Sequence, residues 1–197
     1  MIKLGITGGI GSGKTIVCKV FNCLGVPVFN SDFVARNVVD QEQSVIQKIK
    51  SEFGTDIYSN DFLDRKKLSK LVFENKSALE CLNAIVHPVV KKKFEFWLLE
   101  NRNSPFVIKE AAILFESGAF KEMDKIATVY APESIRLKRV INRDNITAEL
   151  IKKRIENQIS EQEKIKRSDF VIINDDDQLV LPQIIKIHQE LGNKYAL

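Results

Sequence analysis

Gly8-Gly9-Ile10-Gly11-Ser12-Gly13-Lys14-Thr15 decides how this chain is read. The stretch fits G-x-x-x-x-G-K-[ST], the phosphate-binding P-loop. Its flanks agree with it. Ile2 to Ile6 is a short apolar run rich in β-formers, and beyond the loop Val17, Val20, Phe21 and Leu24 recur at helical spacing. Strand, glycine loop and helix in that order are the setting the motif needs. Glycines let the backbone turn its N–H groups inward around an anion, and the helix that follows adds its positive end. The segment Gly9, Ile10, Gly11, Ser12 and Gly13 is therefore expected to cradle nucleotide phosphates. Lys14, read as an exposed loop lysine, would reach the β- and γ-phosphates, and the Thr15 hydroxyl would ligate Mg²⁺. A P-loop specifies a nucleoside triphosphate but not the group that receives the phosphoryl.

The 197 residues suffice for one well-buried core with a small appended lobe. A formal net charge of +4 makes no demand for nucleic acid as a partner. The basic runs Arg65-Lys66-Lys67, Lys91-Lys92-Lys93 and Lys152-Lys153-Arg154 are short; they read as solvated helix faces, or together as a bias toward an anionic substrate. No apolar run has membrane-spanning length, so no membrane partner is expected. Cys18, Cys23 and Cys81 are too few and too widely spaced for a zinc site or a redox pair. An odd thiol count and a strand directly after Met1 in place of a signal peptide suit the cytoplasm. No motif specifies an oligomer.

Four further strands are expected: Val26–Phe29, Phe106–Ile108 running into Lys109-Glu110, Lys125–Tyr130, and Phe170–Ile173 ending at Asn174. With the first they make a five-stranded parallel sheet in an α/β fold. Asp32 falls just past the second strand, on the edge where ligands of open α/β sheets bind. It also suits an N-cap, as does Ser31, and the two roles can coexist. Glu110 has two readings, a carboxylate near the metal or an exposed side chain. Helices are expected over Phe33–Val39, over Gln43–Phe53 with Gly54 as its end, and from Leu63 with Asp64 as a cap. Asp56 to Asp61 reads as a turn. Two more helices follow, one from Ser77 through Ile85 and one from Pro88 to about Asn101, with Trp97 in an apolar stripe. This long helical insertion exceeds a simple crossover and reads as a substrate-binding lobe. A helix from Ser134 carries Arg136, Lys138, Arg139 and Arg143; a break at 145–147, a helix over 148–158 and one over 160–167 follow. Arg139 and Arg143 share a face, either toward the phosphates of a closing lid or in surface pairs with Glu133 or Asp144. The last helix, 179–191, carries His188 as a surface histidine.

The D-x-x-G and N-K-x-D elements of GTP switches do not occur: Asn75-Lys76 is followed by Ser77-Ala78. A small kinase remains, and a specific pattern supports it. Ile6 to Lys14 resembles the opening of dephospho-coenzyme A kinases. Asp32 with Ala35-Arg36, Phe53-Gly54, Leu63-Asp64-Arg65 with Leu68, and Leu82-Asn83 through His87-Pro88 match that family's segments in order. So do Leu114-Phe115-Glu116, Arg139, Arg143-Asp144, Gln158 and Asn174, so the resemblance spans nearly the whole chain. Three positions depart from it: Thr15-Ile16 stands for Ser-Thr, Asn30 for an acidic residue, and Ala112 for a frequent proline. Threonine keeps the metal-ligating hydroxyl, whereas Asn30 concentrates any base function on Asp32.

The resemblance implies transfer of the ATP γ-phosphoryl, with Mg²⁺, to the ribose 3′-hydroxyl of dephospho-CoA. It implies a three-layer α/β/α P-loop NTPase fold in a single domain over residues 1–197. The core is expected over 1–40, 102–135 and 168–197, a helical acceptor-binding lobe over 41–101 and a helical lid over 136–167. A sugar hydroxyl is a poor nucleophile, which gives Asp32 work as general base, and the transferring phosphoryl needs Lys14, Arg139 and Arg143. Asn174 goes with the nucleotide by this resemblance. Asp32, Arg36, Arg65, His87 and Glu116 go with an acceptor that already carries a diphosphate; His87 also reads as the cap of a helix junction. A nucleoside monophosphate kinase is the alternative enzyme, but its acceptor is a phosphate and favours arginine where Asp32 stands. A nucleotide-dependent regulatory module is the alternative without turnover.

Overall fold

Runs of Val, Ile and Phe without polar alternation build a parallel sheet covered on both faces. Its strands are β1 (Ile2–Thr7), β2 (Val28–Asn30), β5 (Phe106–Glu110), β6 (Lys125–Tyr130) and β7 (Phe170–Ile173), in the order β2-β5-β1-β6-β7. Every pairing in this sheet is parallel, with Ile6 opposite both Glu110 and Ala127 and Asn30 opposite Glu110. The computed structural model describes residues 1–59, 62–144, 147, 151–152, 155–156 and 158–192, apart from the side chains of Phe73 and Glu74. The chain divides into two compact units, Met1–Asn30 with Asn101–Leu197, and Ser31–Glu100.

In the first unit, side chains alternate across β1. Leu4 and Ile6 face a core completed by Val17, Cys18 and Phe21 of α1 (Lys14–Cys23). Ile184, Ile187 and Leu191 of the C-terminal helix, Val180–Gly192, complete it further. His188 of that helix is half-buried rather than on the surface, because its ring packs edge-on against Phe106 at 5.7 Å. On the opposite face, a Cβ at Gly5 would lie 2.7 Å from Leu114, which packs with Ala111, Phe115 and Ile126. Glu161–Lys166 covers this same side of β6, where Thr128 Oγ1 donates to the Lys164 carbonyl at 3.4 Å. These helices and the sheet between them form three layers.

The second unit is mainly helical. It consists of helices α2 (Ser31–Gln41), α3 (Gln43–Phe53), α4 (Arg65–Glu74) and α5 (Lys76–Glu100) with a two-stranded antiparallel ribbon. The ribbon, β3 (Tyr58–Ser59) with β4 (Phe62–Leu63), replaces the expected turn and follows a 3₁₀ turn at Thr55–Ile57. It is anchored by Tyr58 Oη donating to the Val39 carbonyl at 2.7 Å and by Leu63 N–H donating to Asp40 at 3.0 Å. Asp64 caps α4, accepting from the N–H groups of Lys66 and Lys67 at 3.1 and 3.0 Å. Ser31 and Asp32 are not caps; both lie inside the first turn of α2.

The two helices expected across His87-Pro88 are one helix of 25 residues, with Pro88 inside it. Proline cannot donate to the carbonyl four residues back, yet burial of Val86, Val90 and Phe94 along one stripe holds the helix together. Trp97 extends that stripe and stacks on Phe94 at 6.0 Å.

In the first unit, α6 (Glu133–Asp144) and α7 (Glu161–Lys166) lie between β6 and β7 in sequence, and α8 is the C-terminal helix already described. Ser160 caps α7 by accepting from Glu163 N–H at 3.2 Å. The expected break at 145–147 and helix over 148–158 lie largely outside the described residues.

Phe21 is fully buried and meets Phe106 edge-on at 6.3 Å. Phe21→Ala should cost about 3–5 kcal/mol of stability. Denaturant unfolding checks this, and an unchanged midpoint would remove α1 from the load of the core.

Candidate active site

The P-loop leaves β1 at its carboxyl end and enters α1 through Gly13, which sits left-handed at φ 96° and ψ 16°. A Cβ there would lie 2.2 Å from Asn174 Nδ2, so both conformation and space require glycine. No side chain caps α1, so its amino end is left for an anion. Asn174 Nδ2 donates to the Ser12 carbonyl at 2.8 Å. Arg139 reaches the same place, donating to the carbonyls of Gly11 at 3.5 Å and Asn174 at 3.1 Å, and pairs with Asp176. Asn174 and Arg139 thus both lie at the loop.

Lys14 is not an exposed loop lysine. It is the first residue of α1 and is 9% exposed, with Nζ donating to the carbonyls of Gly8 at 2.8 Å and Gly9 at 3.1 Å. A short loop folds these carbonyls back over the ammonium, which they solvate in place of water. Thr15 Oγ1 donates to Glu110 Oε1 at 3.1 Å, and Asn30 Nδ2 donates to Glu110 Oε2 at 2.7 Å. Glu110 is 4% exposed, which rules out its reading as an exposed side chain. It terminates β5 between β1 and β2, so three strand ends meet there.

A hard divalent cation takes oxygen ligands, and the Thr15 hydroxyl with the Glu110 carboxylate supplies two that converge. Ser12 Oγ and Thr7 Oγ1 are buried without a hydrogen-bond partner among the described residues. The corner therefore fits Mg²⁺ with phosphate oxygens. Cys18 lies under it. Burial, and then the charge of Glu110, pushes its thiol well above the usual range.

Other expected residues are placed differently. Arg143 is exposed and paired bidentately with Asp144, at 2.7 and 2.8 Å, the second of its two readings. Glu116 is exposed and accepts from the Ile159 N–H at 2.9 Å. In the helical unit, Arg65 donates to the Arg36 carbonyl at 2.9 Å and pairs with Asp40, bringing Arg36 and Arg65 together. Asp32 is half-buried in the first turn of α2. His87 is half-buried in mid-α5; with no helix junction at Pro88 its capping role falls away.

Arg136, Gln158 and Glu161, to which the sequence reading gives no role at the site, also meet the loop. Gly9 N–H donates to Glu161 and Ile10 N–H to Gln158, each at 3.3 Å, and Arg136 is buried against Gly9. Arg136 lies one turn before Arg139, the signal that could have found it. A cavity of about 230 Å³ beside them is lined by Tyr130, Glu133, Arg136, Ile155, Gln158 and Glu161.

The sequence model of dephospho-CoA kinases matches residues 2–179. The chain belongs to the dephospho-CoA kinase family. A dephospho-CoA kinase of Bacteroides fragilis is 38% identical over 186 residues, 94% of this chain and 91% of that protein. A solved dephospho-CoA kinase of Campylobacter jejuni superposes with a TM-score of 0.70 at 30% identity, covering 98% of each chain. A solved Thermus thermophilus protein superposes with a TM-score of 0.82 at 29% identity, over 98% of this chain and 97% of its own. The fold is thus that of a P-loop kinase, and the chain is a kinase of coenzyme A synthesis that phosphorylates dephospho-CoA with ATP.

Thiol chemistry checks the burial of the corner. Cys23 is exposed, Cys81 half-buried and Cys18 buried. Iodoacetamide at mild alkaline pH should modify Cys23 first and Cys18 only on unfolding, as read by peptide mass spectrometry. Early labelling of Cys18 would contradict the sealed corner.

Proposed function

We propose that Asp32 accepts the proton of the ribose 3′-hydroxyl of dephospho-CoA as that oxygen attacks the γ-phosphorus of ATP and ADP leaves. The observation that carries this reading is the Glu110 corner. A buried carboxylate bonded to Thr15 and Asn30 closes the end of β5, and the chain continues from Asn30 through Ser31 to Asp32. One carboxylate is thereby engaged with the P-loop threonine, leaving the base function to the one that follows β2. Lys14 exchanges its carbonyl partners for β- and γ-phosphate oxygens. The backbone of Gly9, Ile10, Gly11, Ser12 and Gly13 shapes the phosphate cradle. Thr15 holds Mg²⁺ with Glu110 beside it; the ion, when bound, neutralises charge on the transferring phosphoryl.

Arg139 acts on the phosphates and Asn174 fixes the nucleotide side of the loop. Arg143 joins Arg139 by exchanging its exposed partner Asp144 for phosphate, a cheap exchange because exposed ion pairs contribute little. Arg36, Arg65 and His87 of the helical unit bind the acceptor, and Glu116 is assigned to the acceptor as well. Residues 136–167 act as a lid, and the enzyme works in the cytoplasm. Among the described residues no helix is long and apolar enough to cross a membrane.

Asp32→Asn keeps size and most hydrogen bonding but cannot take the proton. Turnover with dephospho-CoA should fall by roughly 10²–10⁴-fold while ATP binding is retained. Near-normal turnover would remove Asp32 as base. An ADP-release assay across dephospho-CoA, adenosine, AMP and shikimate tests the acceptor; AMP as the preferred acceptor would favour a nucleoside monophosphate kinase.

A metal ligand at position 15 makes a separate demand. Thr15→Ser should be mild and Thr15→Val severe, because only a hydroxyl can ligate Mg²⁺. Equal activity of the two variants across a Mg²⁺ titration would exclude that role.

A further inference from the structure

We propose that Glu161 is a positioning residue for the phosphate-binding loop, its carboxylate pinning the Gly9 peptide from the start of α7. This rests on the P-loop binding ATP and says which outside group sets the loop's shape. Gly9 is where the loop begins its turn. Its carbonyl accepts from Ser12 N–H and from Lys14 Nζ, each at 3.1 Å. That carbonyl shares its peptide plane with the Ile10 N–H, whereas the Gly9 N–H shares one with the Gly8 carbonyl, which accepts from Lys14 Nζ at 2.8 Å; rotating the Gly8–Gly9 peptide would therefore displace the lysine and the entry to the turn. The Gly9 N–H is held by Glu161 Oε2 at 3.3 Å. The next N–H, of Ile10, is held by Gln158, whose own amide donates to the Ala112 carbonyl at 3.1 Å.

Glu161 is itself fixed. Lys164, fully buried one turn on, donates to Glu161 Oε1 at 2.8 Å. The fit at Gly9 is close: a Cβ would lie 2.8 Å from Glu161 Oε1 and 2.3 Å from Arg136 Nη1. A carboxylate beside a polyphosphate site is electrostatically unfavourable by itself. Pairing with Lys164 presents an acceptor to the loop without adding net charge, which accounts for a buried lysine on a six-residue helix. If the pair only stabilised the fold, the identity of the acceptor at position 161 would not matter to ATP.

Two double variants separate these cases, because both remove the ion pair and only one keeps an acceptor. Glu161→Gln with Lys164→Met retains a carbonyl for the Gly9 N–H; Glu161→Met with Lys164→Met does not. ATP titration by calorimetry, without acceptor, should show the second binding about tenfold more weakly than the first. In steady state the same difference should appear in KM for ATP, with kcat changed by less than about threefold. Equal ATP affinity of the two variants, tight or weak, would overturn the proposal.

Amide hydrogen exchange at Gly9 in the unaltered enzyme gives a test that does not depend on the variants folding. Protection is expected, and exchange at the rate of an open loop would overturn the proposal. Failure of the unaltered enzyme to turn over dephospho-CoA would sink the functional reading instead, and ATP binding would still decide the role of Glu161.

Discussion

The amino end of α1 must stay without a cap of its own. A side chain that satisfied its N–H groups would compete with the phosphates they are there to bind. Gly13 meets that need but brings a cost, since a glycine loop loses more conformational entropy on ordering than any other segment. The rest of the first unit offsets it. Asn174 and Arg139 hold carbonyls on one side of the loop, and Gln158 and Glu161 hold N–H groups on the other. Those partners lie more than a hundred residues further along the chain, so the loop has its working shape only when the sheet is assembled.

Charge follows the same logic at the end of β5. Lys109 and Glu110 are adjacent and both 4% exposed. Alternation along the strand sends them to opposite faces, where Lys109 pairs with Glu122 and Glu110 accepts from Thr15 and Asn30. Each buried charge is met by hydrogen bonds, the condition under which burial is tolerated.

Much of this was legible because local signals and tertiary demands agree. The third and fourth expected strands begin where β5 and β6 begin, and α3 covers Gln43–Phe53 as its apolar face and Gly54 indicate. Legibility failed where distant packing overrides a local rule. Pro88 marks a helix start by propensity, yet buried Val86, Val90 and Phe94 carry the helix through it. Tyr58 and Leu63 lie in segments too short for a strand pattern, and the ribbon exists because α2 supplies its partners. Glu161 reads as one acid in a charged helix. Only the fold shows that its neighbour Lys164 is buried and that the Gly9 N–H meets its carboxylate.

The strand order also bears on how the chain is made. β1 is first in sequence and central in space, and its partners begin at Phe106 and Lys125. An N-terminal strand pairing across roughly a hundred residues raises contact order and slows folding. During synthesis the catalytic loop leaves the ribosome early but cannot form until β5 follows it. The continuous segment Ser31–Glu100, rich in local helical contacts, emerges complete before either partner strand. That helical unit is therefore placed to fold first, and the β1 strand, apolar and unpaired in the interval, is the segment most exposed to misassociation.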